Sequence, residues 1–255
     1  PSAITFNTRK TVRQTQGGVV LEHRLSEANA LRIMGYLGKR DVGQVLAIPV
    51  ATQTPATHSG GVVDLARQYS GLDVRWTHRN RLLDGPLTVT AGLNADALDE
   101  KRKGYNNFVG TSLGIQGALR RDEDNRVTNF DQYVQGEWRF TRDWQVTAGV
   151  RASQVKFRSK DNFIVGTNAD DSGSATYSAV TPVGGLVYHL TDAINLYGSV
   201  GKGFETPTFN ELAYRPPGSA GAGLNFDLRP ARSFSYELGA KMLWGAGSQL
   251  NVAAY

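Results

Sequence analysis

The 255-residue chain sets 28 Lys and Arg against 23 Asp and Glu, a formal net charge of +5, with 40% hydrophobic residues. Having no cysteine, it has no disulfide scaffold, thiolate metal site or cysteine nucleophile. No apolar run reaches the ~20 residues of a transmembrane helix, but the mean hydropathy of -0.34 still admits a membrane β-barrel, which hides its apolar residues by alternating them with polar ones.

Taken in chain order, the pattern is one of strands. Glu22 and Arg24 lead to a short turn at Ser26-Glu27, and a long polar segment covers residues 47–66. Asp73 and Arg75 precede a turn at Leu83-Asp84-Gly85. Then Leu87, Val89, Ala91, Leu93, Ala95 and Ala97 alternate with Thr88, Thr90, Gly92, Asn94 and Asp96. Successive strand side chains point to opposite faces, so one face is oily and the other wet. A second long segment, residues 99–129, is followed by Val134, Trp138 and Phe140 against Gln135, Glu137 and Arg139. Past the turn Thr141-Arg142-Asp143 the alternation resumes with Trp144, Val146, Ala148, Val150 and Ala152 against Gln145, Thr147, Gly149, Arg151 and Ser153. Residues 159–176 form a third long segment, and Thr191-Asp192-Ala193 a turn. Ile194, Leu196 and Val200 then oppose Asn195, Tyr197 and Ser199, and a fourth long segment fills residues 203–229. Phe234, Tyr236, Leu238, Ala240, Met242 and Trp244 make the last clear stripe, before Gly245-Ala246-Gly247 and a final strand, Ser248 to Tyr255.

Short turns alternating with long loops predict about ten strands in about five hairpins. Compact soluble domains rarely hold several structureless loops of this length, whereas outer-membrane barrels have short periplasmic turns and long external loops. Trp76, Trp138, Trp144 and Trp244 sit near the short turns on the apolar face with Phe140 and Tyr188, as in an interfacial aromatic girdle. The wet face carries Arg32, Asp73, Arg75, Asp96, Glu137, Arg139, Arg151, Glu237 and Lys241. Such charges would be costly in a packed core but suit a wide lumen. The expected fold is all-β, an antiparallel up-and-down transmembrane β-barrel represented by about ten strands of a larger barrel. A soluble β-sandwich with core tryptophans is the alternative.

The segment INLYGSVGKGFETPTFNELAY, from Ile194, and LNFDLRPARSFSYELGAKMLW, from Leu224, carry a family likeness. Through Leu196, Tyr197, Gly203, Phe204, Pro207, Glu211, Leu212, Asn225, Leu228, Pro230, Tyr236, Glu237, Leu238 and Gly239, the chain resembles the TonB-dependent receptors of Gram-negative outer membranes, in particular the siderophore branch. Ala231 departs from the family's usual Glu, at a position that reads as structural. The resemblance implies a barrel of about 22 strands closed by an N-terminal plug. Residues 1–255 would then be a piece of the barrel domain, with the plug and TonB box lying elsewhere. It further implies transport without catalysis: capture of a scarce ligand, usually a ferric siderophore, and import energised by the TonB complex through the plug. No cofactor is implied. A porin, an outer-membrane enzyme and a soluble β-rich binding module are the other classes the pattern admits.

Other motifs have plainer readings. Gly110-Thr111-Ser112-Leu113-Gly114 matches a nucleophile elbow, but no helical pattern follows it. His23, His58, His78 and His189 lack the spacing of a zinc site, and Asp122-Glu123-Asp124-Asn125 reads as an exposed loop tip rather than a calcium loop. Gly198 to Gly203 lacks the ending of a phosphate loop. The basic residues are dispersed, so nucleic acid is not an expected partner. Arg120, Arg121 and Arg215 are instead candidates for meeting an anionic chelate or lipopolysaccharide phosphates, since guanidinium binds such groups bidentately. Of the aromatics placed in loops (Tyr69, Tyr105, Phe108, Phe163, Tyr214, Phe226), Tyr105, Phe108 and Tyr214 join those arginines as the ligand-contact candidates.

Overall fold

The computed structural model describes residues 3–212, 224–245 and 247–255. Among them the chain runs β1 (Arg9–Arg24), β2 (Asn29–Val45), β3 (Val62–Leu82), β4 (Gly85–Tyr105), a small hairpin of β5 (Phe108–Val109) and β6 (Ser112–Leu113), β7 (Leu119–Arg139), β8 (Trp144–Asp161), β9 (Gly173–Thr191), β10 (Ile194–Glu205), a one-turn helix α1 (Phe209–Leu212), β11 (Ala231–Trp244) and β12 (Ser248–Ala254). Apart from the small hairpin, the strands form one ten-stranded sheet, each beside its neighbour in sequence. Every pairing is antiparallel. The sheet does not close: β1 and β12 are its two edges. No described helix is long and apolar enough to cross a membrane, which says nothing of strands.

The short turns lie where the alternation predicts them, all at one end of the sheet. At Leu83 and Asp84 both φ angles are positive, 49° and 64°, giving the two-residue turn whose twist suits a hairpin. Elsewhere side-chain oxygens close the turn. Thr141 Oγ1 accepts from the backbone N–H of Trp144 at 3.1 Å, and Thr191 Oγ1 from that of Ile194 at 3.0 Å. Just above the turns the aromatic residues pair, Trp138 with Phe140 along the end of β7 at 5.4 Å and Trp144 with Tyr188 across β8 and β9 at 4.6 Å between ring centroids. Their indole N–H groups find oxygen, Trp138 at Leu82 O (3.0 Å) and Trp76 at Asn29 Oδ1 (3.1 Å).

The apolar face is open. Leu37, Val180, Phe234, Tyr236 and Leu238 are all more than 60% exposed, and among the described residues no second sheet covers them. This removes the soluble sandwich, in which these stripes would meet one another.

The long segments are shorter than the sequence predicts. β4 continues to Tyr105, β7 begins at Leu119, β8 continues to Asp161 and β9 begins at Gly173. Asp122-Glu123-Asp124-Asn125 therefore belongs to a strand and not to an exposed loop tip, and Glu123 and Asn125 are buried. Tyr69 likewise lies in β3. The cause is a reversal of polarity along each strand. On β8 the face of Trp144, Val146, Val150 and Ala152 continues upward as Lys156, Arg158 and Lys160, while the face of Arg151 and Ser153 continues as Val155 and Phe157. On β4 and β7 the same switch sets Asp99, Lys101 and Arg126 on one face and Leu98 and Val127 on the other. A strand that leaves the hydrocarbon meets water outside and can pack apolar groups inside, so the alternation changes phase without ending.

Candidate functional site

On the polar face, tyrosines lie against glycines directly opposite them. Tyr36 faces Gly71, Tyr69 faces Gly38, Tyr133 faces Gly92 and Tyr197 faces Gly239. A Cβ at any of these glycines would come within 2.6 Å of the ring, closer than real carbon contacts, so only glycine lets the ring lie flat along the wall. The hydroxyls then reach sideways to acceptors: Tyr36 donates to Asp96 Oδ1 at 2.6 Å and Tyr197 to Glu237 Oε1 at 2.5 Å. Asn129 donates to Asp131 at 2.9 Å and to Asp96 at 3.3 Å, and Arg151 pairs with Asp131.

Higher up, β3, β4 and β7 build a second network. Arg67 pairs with the buried Glu100, Asn125 donates to Glu100 at 3.2 Å and to Glu123 at 3.3 Å, and Arg121 pairs with Glu123 at 2.6 Å. Charged groups this far from water need such partners. Asn125 Oδ1 and Arg40 Nε are buried with no hydrogen-bond partner among the described residues.

Beside this network lies an apolar cluster. Phe157 and Tyr177, from the polar faces of β8 and β9, pack edge-on at 5.8 Å, and Phe157 meets Phe209 of α1 at 5.3 Å. Leu212 and Leu224 complete it. Residues 209–212 and 224 are thereby packed onto the polar face, and the Tyr177 hydroxyl holds Leu228 by donating to its carbonyl at 2.9 Å. Thr208 and Glu211 cap α1 reciprocally: the Thr208 N–H donates to the carboxylate at 2.7 Å and the Glu211 N–H to Thr208 Oγ1 at 3.3 Å. These backbone and hydroxyl donors hold the Glu211 carboxyl below its usual pKa.

Four of the six sequence candidates lie in one loop cluster. Tyr105 ends β4, and its carbonyl accepts from the Gly61 N–H at 2.8 Å. Phe108 opens the small hairpin, paired with Leu113. Arg120 is the extra residue of a β-bulge, since Gly104 pairs with Arg121 but Tyr105 with Leu119. A bulge re-aims its side chain, and the Arg120 guanidinium donates to the carbonyls of His58 (3.3 Å) and Pro55. Burial first, and then the charges of Arg120 and Arg121, hold His58 below its ordinary pKa. Arg120 and Arg121 share a cavity of about 20 Å³ with Thr57, Ser59, Asp161 and Asn168, room for one water and no more. Tyr214 and Arg215 lie outside the described residues. The motif Gly110 to Gly114 folds as the turn of the small hairpin with no helix behind it.

Sequence reasoning missed the tyrosine–glycine pairs, the Arg67–Glu100–Asn125–Glu123 network and the Phe157 cluster. One signal was present. Val155, Phe157, Ala175 and Tyr177 continue the wet stripes out of phase, marking a dry patch on a polar face.

An open apolar face with an aromatic ring near its short turns, opposite a hydrogen-bonded polar face, defines a wall of a transmembrane β-barrel. The profile described as "TonB dependent receptor-like, beta-barrel" matches residues 4–255, and the chain belongs to that family. Among solved structures, it is similar to the siderophore receptor PiuA from Acinetobacter baumannii (14% identity, 97% of this chain and 40% of that one, TM-score 0.76). It is similar to the ferric-catecholate import receptor Fiu from Escherichia coli K12 in its closed form (15% identity, 98% and 41%, TM-score 0.73). The copper transporter OprC is also similar (13% identity, 92% and 38%, TM-score 0.71). The chain spans about two fifths of the length of these proteins. The family is one of transport receptors of the Gram-negative outer membrane. In barrels of this kind the polar face lines the lumen and the short turns lie at the periplasmic end.

Proposed function

We propose that this chain is part of the barrel wall of an outer-membrane receptor that captures a ferric siderophore and imports it with energy delivered through TonB to a plug domain. The observation that carries the reading is the pairing, on the upper lumenal wall, of an aromatic cluster (Phe157, Tyr177, Phe209) with a charged network (Arg67, Glu100, Arg121, Glu123). A chelate offers flat or apolar surface and anionic oxygens, and this wall offers matching groups under the loops. Residues 206–230 act as the capturing segment, with Tyr214 and Arg215 as its contacts, and Tyr177 holds its end at Leu228. Tyr105, Phe108, Arg120 and Arg121 form the platform that holds the neighbouring loops. The unpartnered Asn125 Oδ1 and Arg40 Nε are positions for the plug or ligand to complete. The reaction is binding and gating, with no covalent step.

The test uses the full-length receptor in a receptor-null Gram-negative strain starved of iron. Growth should be restored by one class of ferric chelate, lost when TonB is absent, and lost when residues 206–230 are replaced by a short turn in a barrel that still runs anomalously on gels before heating. Indifference to every chelate, with uptake of a bare metal ion instead, would overturn the siderophore reading.

A further inference from the structure

Gln132 breaks the apolar face, which in barrels of this kind meets lipid. It lies on β7 between Phe130 and Val134, the neighbours that share its side of the strand. Directly opposite it stand Leu93 on β4 and Ala152 on β8, and its diagonal neighbours are Ala91, Ala95, Val150 and Gln154. The side chain is exposed, and its amide is hydrogen-bonded to no neighbour among the described residues, Gln154 included. Phe130 and Val134 beside it are each 45% exposed.

Its depth makes this costly. Trp138, in the aromatic ring, lies six residues down the same strand, about 20 Å at ~3.3 Å per residue. At a strand tilt of about 40° Gln132 stands about 15 Å above that ring, well inside an apolar band about 25 Å tall. Two positions farther up the strand the face is still apolar, at Phe130. An amide carries two N–H donors and a carbonyl acceptor, and hydrocarbon gives none of them a partner. A polar side chain at this depth belongs against another polar group.

The surface on either side of Gln132 is hollow. A depression of about 540 Å³, lined by Val74, Trp76, Ala91 and Val150, lies toward β3. Another of about 760 Å³, lined by Phe130, Val180 and Phe234, lies toward β11. Gln132 and Ala152 line both, so the amide stands on the divide between them. The short side chains of Ala91 and Ala152 leave the hollows, and Phe130 and Val134 stand out beside them. Lipid chains fill apolar hollows as well as protein does, so the hollows alone select no occupant. The amide does.

We propose that this patch is the contact between two copies of the receptor in the membrane, related by a twofold axis along the membrane normal, with the two Gln132 amides hydrogen-bonded to each other across it. An axis in that direction holds every residue at the same depth as its counterpart, so a second copy supplies an amide at the depth where one is needed. An unrelated membrane protein would match that depth only by coincidence. Each amide donates to and accepts from the other, the reciprocity that an isologous contact provides. Phe130 and Val134, projecting beside Gln132, enter the hollows of the facing copy. The inference concerns the barrel wall and is independent of which ligand is carried.

The experiment places the full-length receptor, freed of other cysteines and labelled with donor or acceptor dye through Arg142→Cys in a short turn, in phosphatidylcholine vesicles over a range of lipid-to-protein ratios. Energy transfer should report pairs that separate as lipid is added. Gln132→Leu, which removes the amide and suits hydrocarbon, should need about tenfold more receptor per lipid to pair, the scale that a polar contact between membrane segments reaches. Gln135→Leu, which removes an amide from the opposite face of β7, should leave pairing unchanged. In cells, mild oxidation of a receptor carrying Gln132→Cys should give a disulfide-linked dimer, and Val200→Cys, outward on β10, should not. Gel migration before heating checks that each barrel is folded, and Gln132→Val serves should Gln132→Leu fail to fold. Pairing of the folded Gln132 variant at the wild-type density, a wild type that stays monomeric at every lipid ratio, or a Gln132→Cys cross-link to a different protein alone would overturn the proposal.

Discussion

Leu83 occupies a backbone conformation that β-carbons resist. Its φ of 49° is followed by 64° at Asp84, and its side chain is 80% exposed, so no burial offsets the strain. A non-glycine residue in the left-handed region costs roughly 1–2 kcal/mol, and Asn bears it more easily than Leu. Replacing Leu83 by Asn gives the sequence Asn-Asp-Gly and should stabilise the β3–β4 hairpin by about 1 kcal/mol. Denaturant unfolding of the full-length receptor in detergent, compared with wild type, measures it; an unchanged or lowered midpoint would mean that Leu83 makes a contact the exposed turn does not display. The tyrosine–glycine pairs show the opposite economy. Glycine at positions 71 and 239 costs local order, and in return a ring lies against the wall and an acid acquires a hydroxyl donor.

At the scale of a strand, the change of phase at the membrane rim is the feature with the most consequences. Spin labels in the full-length receptor test it. Labels at Val89 and Leu93 should be reached by oxygen dissolved in lipid, and those at Thr90 and Asn94 should not. Farther along the same strand, labels at Lys101 and Lys103 should be reached by a water-soluble quencher, while one at Leu98 should be shielded from both. Lipid exposure on both faces of β4 would overturn the facing. The same reversal explains what could be read beforehand. From Leu87 to Ala97 the alternation is uninterrupted because one face meets only hydrocarbon, so strand, facing and turn were legible. From Asp99 to Lys103 both faces carry charge, since Glu100, paired with Arg67, and Arg102 lie on the inner face while Lys101 and Lys103 lie on the outer one. Polarity there no longer distinguishes a strand from a loop. The bulge at Arg120 was hidden for a related reason: it follows from the register between β4 and β7, which neither strand shows alone. The Phe157 cluster depends on Phe209, Leu212 and Leu224 packing across β8 and β9, a contact between distant segments without local pattern.

At the scale of the sheet, ten strands in chain order leave β1 and β12 unpaired on their outer sides. In hydrocarbon each unsatisfied backbone group costs several kcal/mol, and β1, sixteen residues long and exposed throughout, offers a whole row of them. The apolar face compounds the problem, because nothing but lipid or another sheet covers it. A polypeptide of residues 1–255 alone should therefore not enter bilayers as a folded monomer. It should associate edge to edge, whereas the full-length receptor, in which those edges find neighbours, should insert. Refolding both into lipid vesicles and comparing unheated gel migration with protease protection distinguishes the cases. A monomer of the 255-residue chain that is compact before heating and protected from protease would show that β1 and β12 can close on each other. That would contradict the open sheet and make a ten-stranded barrel the functional unit.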